Sequence, residues 1–450
     1  MVALVHGSGA ARGHRTEPVS APVPLAGKEK RRPLGVADLV FFVVAASAPL
    51  TVAAGGVPQV YAATAVLGLP VLYLVLAAVL AVFSAGYAAM SRHIVDAGAF
   101  SAYVAEGLGA RVGTGAATVA LIAYNSMQVS LYGLFGVAAS GLLATQLGWT
   151  VPWWGCALTA MALVAVLGYL RVDLNARVLA VLLVVETVAV IVFDVAELGG
   201  GGIESAQVLS PAAVATGAAG AALCFMMGSF VGFESAAIYG EECRDPRRTV
   251  ARATYVSVAF IGVGYAVTAW AFAAGTGVDG LVGAATAHGP ELFFVLADLS
   301  VGTWFVDLTR IFYVTSLFAA LLSFHNVVAR YFLAMGRKGT LPRALGRTHP
   351  RHGSPHIGSL TQSGLALLVV GGFALTGMDP ITTLFTWLTN VGSLGVILLL
   401  TLTSLAITAF FTRRPREHWW SQRVAPALGT LLLGLILVLS ISQFDVLLGM

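Results

Sequence analysis

The chain has 450 residues, of which apolar types make up 58% and charged types only 10%, with a formal net charge of +4. A soluble globular chain carries about 25% charged residues, so this composition excludes a soluble domain and requires a surface that faces lipid. The small positive excess calls for no nucleic acid, because a basic stretch beside an apolar span is ordinarily a topological signal.

Residues 1–35 are rich in Pro, Gly, Ala and charge, and no apolar stretch follows the initiator Met. They are expected to form a disordered cytoplasmic tail, not a signal peptide. A helix needs about 20 apolar residues to cross a bilayer. Runs of that kind fall at 36–66, 68–91, 112–140, 152–170, 176–196, 213–239, 250–275, 304–336, 357–377, 381–411 and 424–444. Gly and Pro occur freely within them and strict alternation does not, so they predict helices and not the strands of a barrel. The expected fold is all-α and polytopic. Cys156, Cys224 and Cys243 are odd in number and far apart, and imply no disulfide framework.

Placing the N-terminus in the cytoplasm puts 24 of the 25 Lys and Arg in or beside cytoplasmic segments, with only Arg310 left over. The opposite loops carry Glu197, Glu204, Asp279, Glu291, Asp298 and Asp379 with no Lys or Arg. That asymmetry follows the rule that short positive loops stay inside. The odd number of spans then places the C-terminus outside. The polar stretch Ser442-Gln443-Phe444-Asp445 would normally lead into another span, so a twelfth helix is expected to be missing or never present.

Irregular backbone within a membrane is tolerated only where it lines a cavity or is buried in protein, so helix breaks point to sites. The first span contains Ser47-Ala48-Pro49-Leu50-Thr51, where Pro49 removes one amide and clashes with the Ala45 carbonyl. Ser47 is expected to cap the half-helix that restarts there, leaving amides from about Leu50 to Val52 to attract a carboxylate. Carbonyls freed at Ala45 and Ala46 would attract a cation or an ammonium group. The sixth span carries Phe225-Met226-Met227-Gly228-Ser229-Phe230-Val231-Gly232-Phe233-Glu234, whose glycines and serine weaken the helix near its middle. Spans one and six are equivalent positions if spans one to five and six to ten are inverted repeats. Paired interruptions of that kind point to a transporter's midplane site, while close helix packing is the competing explanation. The candidate binding residues are Ser47, Ala48, Pro49, Leu50, Thr51, Phe225, Gly228, Ser229 and Phe230, with Phe230 expected to cover the substrate.

At these residues the chain resembles the amino acid-polyamine-organocation (APC) permease superfamily. Phe230-Val231-Gly232-Phe233-Glu234-Ser235-Ala236, followed by Glu241-Glu242-Cys243-Arg244-Asp245-Pro246-Arg247-Arg248-Thr249-Val250-Ala251-Arg252-Ala253, is similar to the family's sixth helix and the loop after it. Met335-Gly336-Arg337-Lys338-Gly339-Thr340-Leu341-Pro342 is similar to the connection after the eighth helix, and Ala97-Gly98-Ala99-Phe100-Ser101-Ala102-Tyr103-Val104 to the segment after the second. The resemblance implies a LeuT-like five-plus-five inverted repeat with broken first and sixth helices, working by alternating access. It divides the chain into the tail 1–35, a first repeat 36–200, a second repeat 211–411 and an additional span with the C-terminus at 421–450. Two departures stand out. The usual Gly-Ser-Gly type break reads Ser47-Ala48-Pro49-Leu50-Thr51 here, and members commonly have twelve spans where this chain supplies eleven.

Ionisable groups within spans are functional candidates by default. Glu234 matches the carboxylate of the family's sixth-helix motif and is a candidate for proton sensing or a gate contact; its alternative is a carboxylate permanently bonded to its surroundings. Glu186, on the fifth span, is a second candidate coupling group, with a packed, protonated glutamate as its alternative. Asn125 and Gln128 serve either the pocket or hydrogen bonds between helices. Asp307 and Arg310, three residues apart on one helical face, are expected to neutralise each other. His325 reads as a proton relay or a satisfied core histidine. His349, His352 and His356 lack a fourth ligand for a metal, so no metal and no cofactor are expected.

The leading function is secondary transport of an amino acid, proton-coupled or by exchange, across the plasma membrane. A polyamine or other organic-amine carrier and a non-transporting sensor of the same fold are the alternatives. A membrane enzyme would need a nucleophile, metal or cofactor constellation that the sequence does not display. The partners implied are the small-molecule substrate, a coupling ion read as a proton, and the lipid bilayer.

Overall fold

The computed structural model describes residues 35–94, 99–170, 176–200, 202–234, 243, 246–414 and 417–449. The expected tail, the residues 235–242 and 244–245 of the sixth-helix motif, and Ala97 and Gly98 lie outside the described residues. Among those described, eight helices are long and apolar enough to cross a bilayer. The first span is α1 (Val36–Ser47) and α2 (Val57–Thr64), joined through a π-helical segment, Thr51–Gly56. Then come α3 (Leu69–Met90), a short α4 (Ala99–Leu108), α5 (Ala110–Leu147), α6 (Trp153–Leu170) and α7 (Ala176–Gly200). The sixth span opens with α8 (Ala219–Met227), and α9 (Pro246–Thr276), α10 (Leu292–Ser300), α11 (Thr303–Arg337), α12 (His356–Thr376), α13 (Thr386–Arg413) and α14 (Ala425–Ser442) complete the bundle. Every expected span therefore has a helix. The helices α4, α10 and Leu281–His288 fill stretches that hydropathy alone leaves as connections.

The helix ends follow local chemistry. Gly148 at φ 68° and Gly377 at φ 69° close α5 and α12 in the left-handed region that glycine enters without a Cβ clash. The side chain of Asp379 accepts from the Ile381 and Thr382 amides and so starts the last-but-one span. That span also begins with a π-helical turn, Pro380–Phe385, before α13.

Small residues let the backbones approach. A Cβ on Gly262 of α9 would collide with Ala77 of α3, and one on Gly107 of α4 would strike the Ala406 backbone of α13. This is the packing expected where lipid provides no hydrophobic drive between helices. Aromatic and aliphatic side chains fill the interior, with Tyr61, Tyr73, Phe193 and Phe272 among the fully buried ones. The outer surface is apolar too: Leu375, Leu368, Leu431 and Val195 are 91%, 74%, 72% and 66% exposed, which suits a bundle solvated by acyl chains. The protein is an integral, multi-pass membrane protein.

Candidate functional site

Both predicted interruptions are present as backbone geometry. In the first span α1 stops at Ser47, and Ala48 takes φ 46° and ψ 75°. A non-glycine residue in that region costs about 1–2 kcal/mol, and Pro49 after it disfavours the ordinary helical region for Ala48. In the sixth span α8 gives way to one 3-10 turn, Gly228–Phe230. Val231 is then extended at φ −60° and ψ 131°, and Gly232 sits at φ 109°, where any other residue would be strained.

A cavity of about 80 Å³ lies between the two breaks. Its lining takes Ser47, Ala48, Thr51, Val52 and Gly56 from the first span and Phe225, Gly228, Ser229 and Val231 from the sixth. Three uninterrupted spans add Met127, Ser130 and Leu131 from α5, Ala320 and Phe324 from α11, and Thr389 from α13, together with Phe385 just before it. No side chain in that lining is charged. Polar groups are few and mostly tied to each other: Thr389 Oγ1 lies 2.9 Å from the Ser130 hydroxyl, to which it donates, and the Ser229 hydroxyl is 3.4 Å from that of Tyr73.

Three of the nine candidate binding residues lie outside that cavity. Phe230 is fully buried, with its ring centroid 6.3 Å from that of Tyr73, so it packs beneath the break and does not cover the space. Pro49 faces a second cavity between α1, α7 and α9. Leu50 is fully buried and does not line the cavity. The expected cap is absent as well: the Ser47 hydroxyl donates back to the Val44 carbonyl at 2.8 Å. Of the amides expected to be open, that of Val52 donates to the Ala48 carbonyl at 3.2 Å. The Ala45 carbonyl accepts from Ala48 at 3.2 Å. Local satisfaction is the physical reason, since a buried backbone group left unpaired is too costly to keep.

Glu186 supplies the link that the sequence does not reveal. Its carboxylate, on the middle of α7, is 4% exposed. It accepts from the Ser316 hydroxyl of α11 at 2.8 Å. Ser316 Oγ lies 3.2 Å from Thr51 Oγ1, and Thr51 lines the cavity. One chain of hydrogen bonds thus runs from a buried carboxylate, through a hydroxyl on α11, to the break.

Glu234 has a different setting. One oxygen accepts from the Tyr124 hydroxyl at 2.6 Å and the other from the Gly232 amide at 2.9 Å. Its carbonyl accepts from Tyr87 at 3.1 Å. It is buried, lies outside the cavity lining, and ties the unwound end of the sixth span to α3 and α5.

Other polar residues fall into place around this core. Asn125 donates to Gln362, which donates to Gln128. His325 contacts Gln128 at 3.2 Å and Ser359 at 2.8 Å, so these residues join α5, α11 and α12. Asp307 and Arg310 do not pair with each other. Arg310 forms a two-pronged ion pair with Glu291, preceding α10, and stacks 4.4 Å above the Phe294 ring, while Asp307 accepts from Gln146 at 2.7 Å. The segment that ends in α10 packs against α11 and brings Glu291 to Arg310. His349, His352 and His356 surround the ring of Tyr169 at centroid distances of 5.3, 6.4 and 6.1 Å.

A helical bundle with two interrupted spans meeting at a cavity with no charged lining residue defines a membrane transporter of the inverted-repeat class. The chain belongs to the amino acid permease family, whose profile matches residues 34–446. It is 32% identical over 127 residues to uncharacterized transporters of Mycobacterium bovis and Mycobacterium tuberculosis, a match that spans 28% of this chain and 28% of each relative. Among solved structures, MhsT in complex with L-phenylalanine has the same LeuT-like fold, with a TM-score of 0.59 and 16% identity over 92% of this chain and 99% of that one.

Proposed function

We propose that the protein is a secondary active transporter that carries a neutral amino acid across the plasma membrane by alternating access, with Glu186 as its coupling group. The observation that carries this reading is the uncharged cavity at the paired breaks, wired to Glu186 through Thr51 and Ser316. An amino acid presents one carboxylate and one ammonium group, which balance each other. Its carboxylate suits the helix that restarts after Pro49, whose N-terminal end carries partial positive charge. Its side chain meets Met127, Leu131, Phe225 and Phe324, which favour an apolar group. A polyamine carries several cations and would need carboxylates in the lining, where there are none. The amino acid bound to MhsT, a protein of the same fold, is of the same substrate class.

In this reading Glu186 takes up a proton from one side and releases it to the other. The hydroxyl of Ser316 passes the change in hydrogen bonding on to Thr51 and the substrate. Glu234 holds the sixth span closed against Tyr124. The Lys and Arg asymmetry supports a cytoplasmic N-terminus, and in this reading Glu234 guards the inner side and the Glu291–Arg310 pair the outer one. The repeats are residues 36–200 and 211–411, with 421–450 as an additional span. The activity is carriage without chemical change to the substrate. Uptake of labelled amino acids into proteoliposomes, with and without an imposed pH gradient, tests it: saturable uptake that the gradient drives above equilibrium supports the reading, and gradient-insensitive or absent uptake opposes it.

A further inference from the structure

The second cavity, of about 100 Å³, lies between α1, α7 and α9 and is separate from the substrate cavity except at Ser47, which lines both. Along α7 it is lined by Thr187, Val190, Ile191 and Asp194, whose spacing of three, four and seven residues puts them on one helical face. Asp194 is 7% exposed. Its Oδ2 accepts from the Thr268 hydroxyl of α9 at 3.0 Å, whereas Oδ1 is buried with no hydrogen-bond partner. Across the cavity, the Tyr265 hydroxyl reaches Ser47 at 3.4 Å. Tyr265 is the only other titratable side chain in the lining: α1 contributes Ser47 and Pro49, α10 and α11 contribute nothing, and no Lys or Arg is present. On its own helix the nearest carboxylates are Glu197, whose Oε1 is also buried without a hydrogen-bond partner, and Glu186, bonded to Ser316.

A buried carboxylate with one empty oxygen and no counter-charge is not a stable ionised group by itself. In Glu234, by contrast, both carboxylate oxygens have hydrogen-bond donors. We propose that this cavity is a binding site for a small monovalent cation, H⁺ or Na⁺, with Asp194 Oδ1 as its anionic ligand and the hydroxyls of Ser47, Thr187 and Tyr265 as the surrounding oxygen donors. Oxygen ligands of this kind suit a hard cation or a proton alike. Because Ser47 belongs to both cavities, occupancy here bears on the break that faces the substrate. The inference goes beyond amino acid carriage, since Asp194 touches no part of the substrate cavity.

The test treats the full-length protein in detergent with a hydrophobic carbodiimide, which reacts with protonated carboxyls, and maps the adduct by mass spectrometry across a pH series in sodium or choline chloride. An adduct on Asp194 that grows as pH falls, up to about tenfold per unit above the midpoint, and is equal in both salts identifies the proton. An adduct that sodium suppresses relative to choline identifies Na⁺. No adduct on Asp194 under any condition overturns the proposal. As a second measurement, the thermal unfolding midpoint of the wild type should respond to pH or sodium. Asp194→Asn should lose that response and Asp194→Glu should keep it, whereas a wild-type response in Asp194→Asn would also overturn the site. Amino acid binding followed in the same samples separates the two readings: its absence beside a labelled Asp194 defeats the substrate assignment and leaves the cation site standing.

Discussion

The Ser316 hydroxyl donates to the Glu186 carboxylate at 2.8 Å, so the break in the first span is linked through Thr51 to a titratable group on α7. Proton uptake at that carboxylate changes what the Ser316 hydroxyl is bonded to, and Ser316 Oγ lies 3.2 Å from Thr51 Oγ1 in the cavity wall.

Glu186→Gln tests this tie. Glutamine keeps an oxygen acceptor for Ser316 while removing the charge that a proton would cancel. The expected outcome in proteoliposomes is loss of pH-gradient-driven accumulation with exchange of internal for external substrate retained, because exchange needs no net proton movement. Both assays run from about pH 5 to 8, a range that buried carboxyls can reach. Accumulation that keeps the wild-type pH profile would remove Glu186 from coupling.

Phe324→Ala and Phe230→Ala separate the cavity wall from the packing beneath it. Phe324 lines the cavity, and losing a buried aromatic contact with the substrate should weaken binding by about 1.5–3 kcal/mol, or roughly 10- to 100-fold in Kd. Phe230 is fully buried against Tyr73, so its truncation should cost about 3–5 kcal/mol of stability with substrate affinity nearly unchanged. Thermal unfolding and equilibrium binding on both purified variants check the split.

That contrast shows what was legible in the sequence. Pro49 and the Gly228–Gly232 segment are visible because proline deletes an amide and glycines weaken a helix, and each marks its own position. Met127, Ser130, Phe324 and Thr389 lie on uninterrupted helices, where only the packing of α5, α11 and α13 decides which face meets the cavity. The π-helical turns at Thr51–Gly56 and Pro380–Phe385 carry no distinctive residue pattern either. Arg310 pairs with Glu291 and not Asp307 because the segment that ends in α10 packs against α11, which a three-residue spacing along one helix does not register. Sequence shows the amide lost at Pro49, and not the carboxylate on α7 that Ser316 links to Thr51.

Tyr124→Phe addresses Glu234. Removing a 2.6 Å hydrogen bond to a buried carboxylate should lower stability by about 1.5–3 kcal/mol and leave the pH profile of accumulation as in the wild type. A shifted pH profile would transfer the coupling role to Glu234.

Substrate class is tested by competition. An apolar amino acid should displace labelled substrate, while the amine made by removing its carboxylate should compete at least about tenfold less well, given that hydrogen bonds to a charged group contribute about 1.5–3 kcal/mol. Equal competition by the two would mean that no carboxylate is read at the first break.

The most direct test of the central claim is counterflow in proteoliposomes preloaded with one unlabelled neutral amino acid, followed by measuring entry of the same amino acid as tracer. A carrier with the alternating cavity described here should transiently concentrate the tracer above its outside level, and an inward proton gradient should sustain that excess in the wild type and not in Glu186→Gln. Saturable binding of the amino acid to the purified protein with no tracer counterflow at all would contradict transport and leave a ligand-binding sensor in its place.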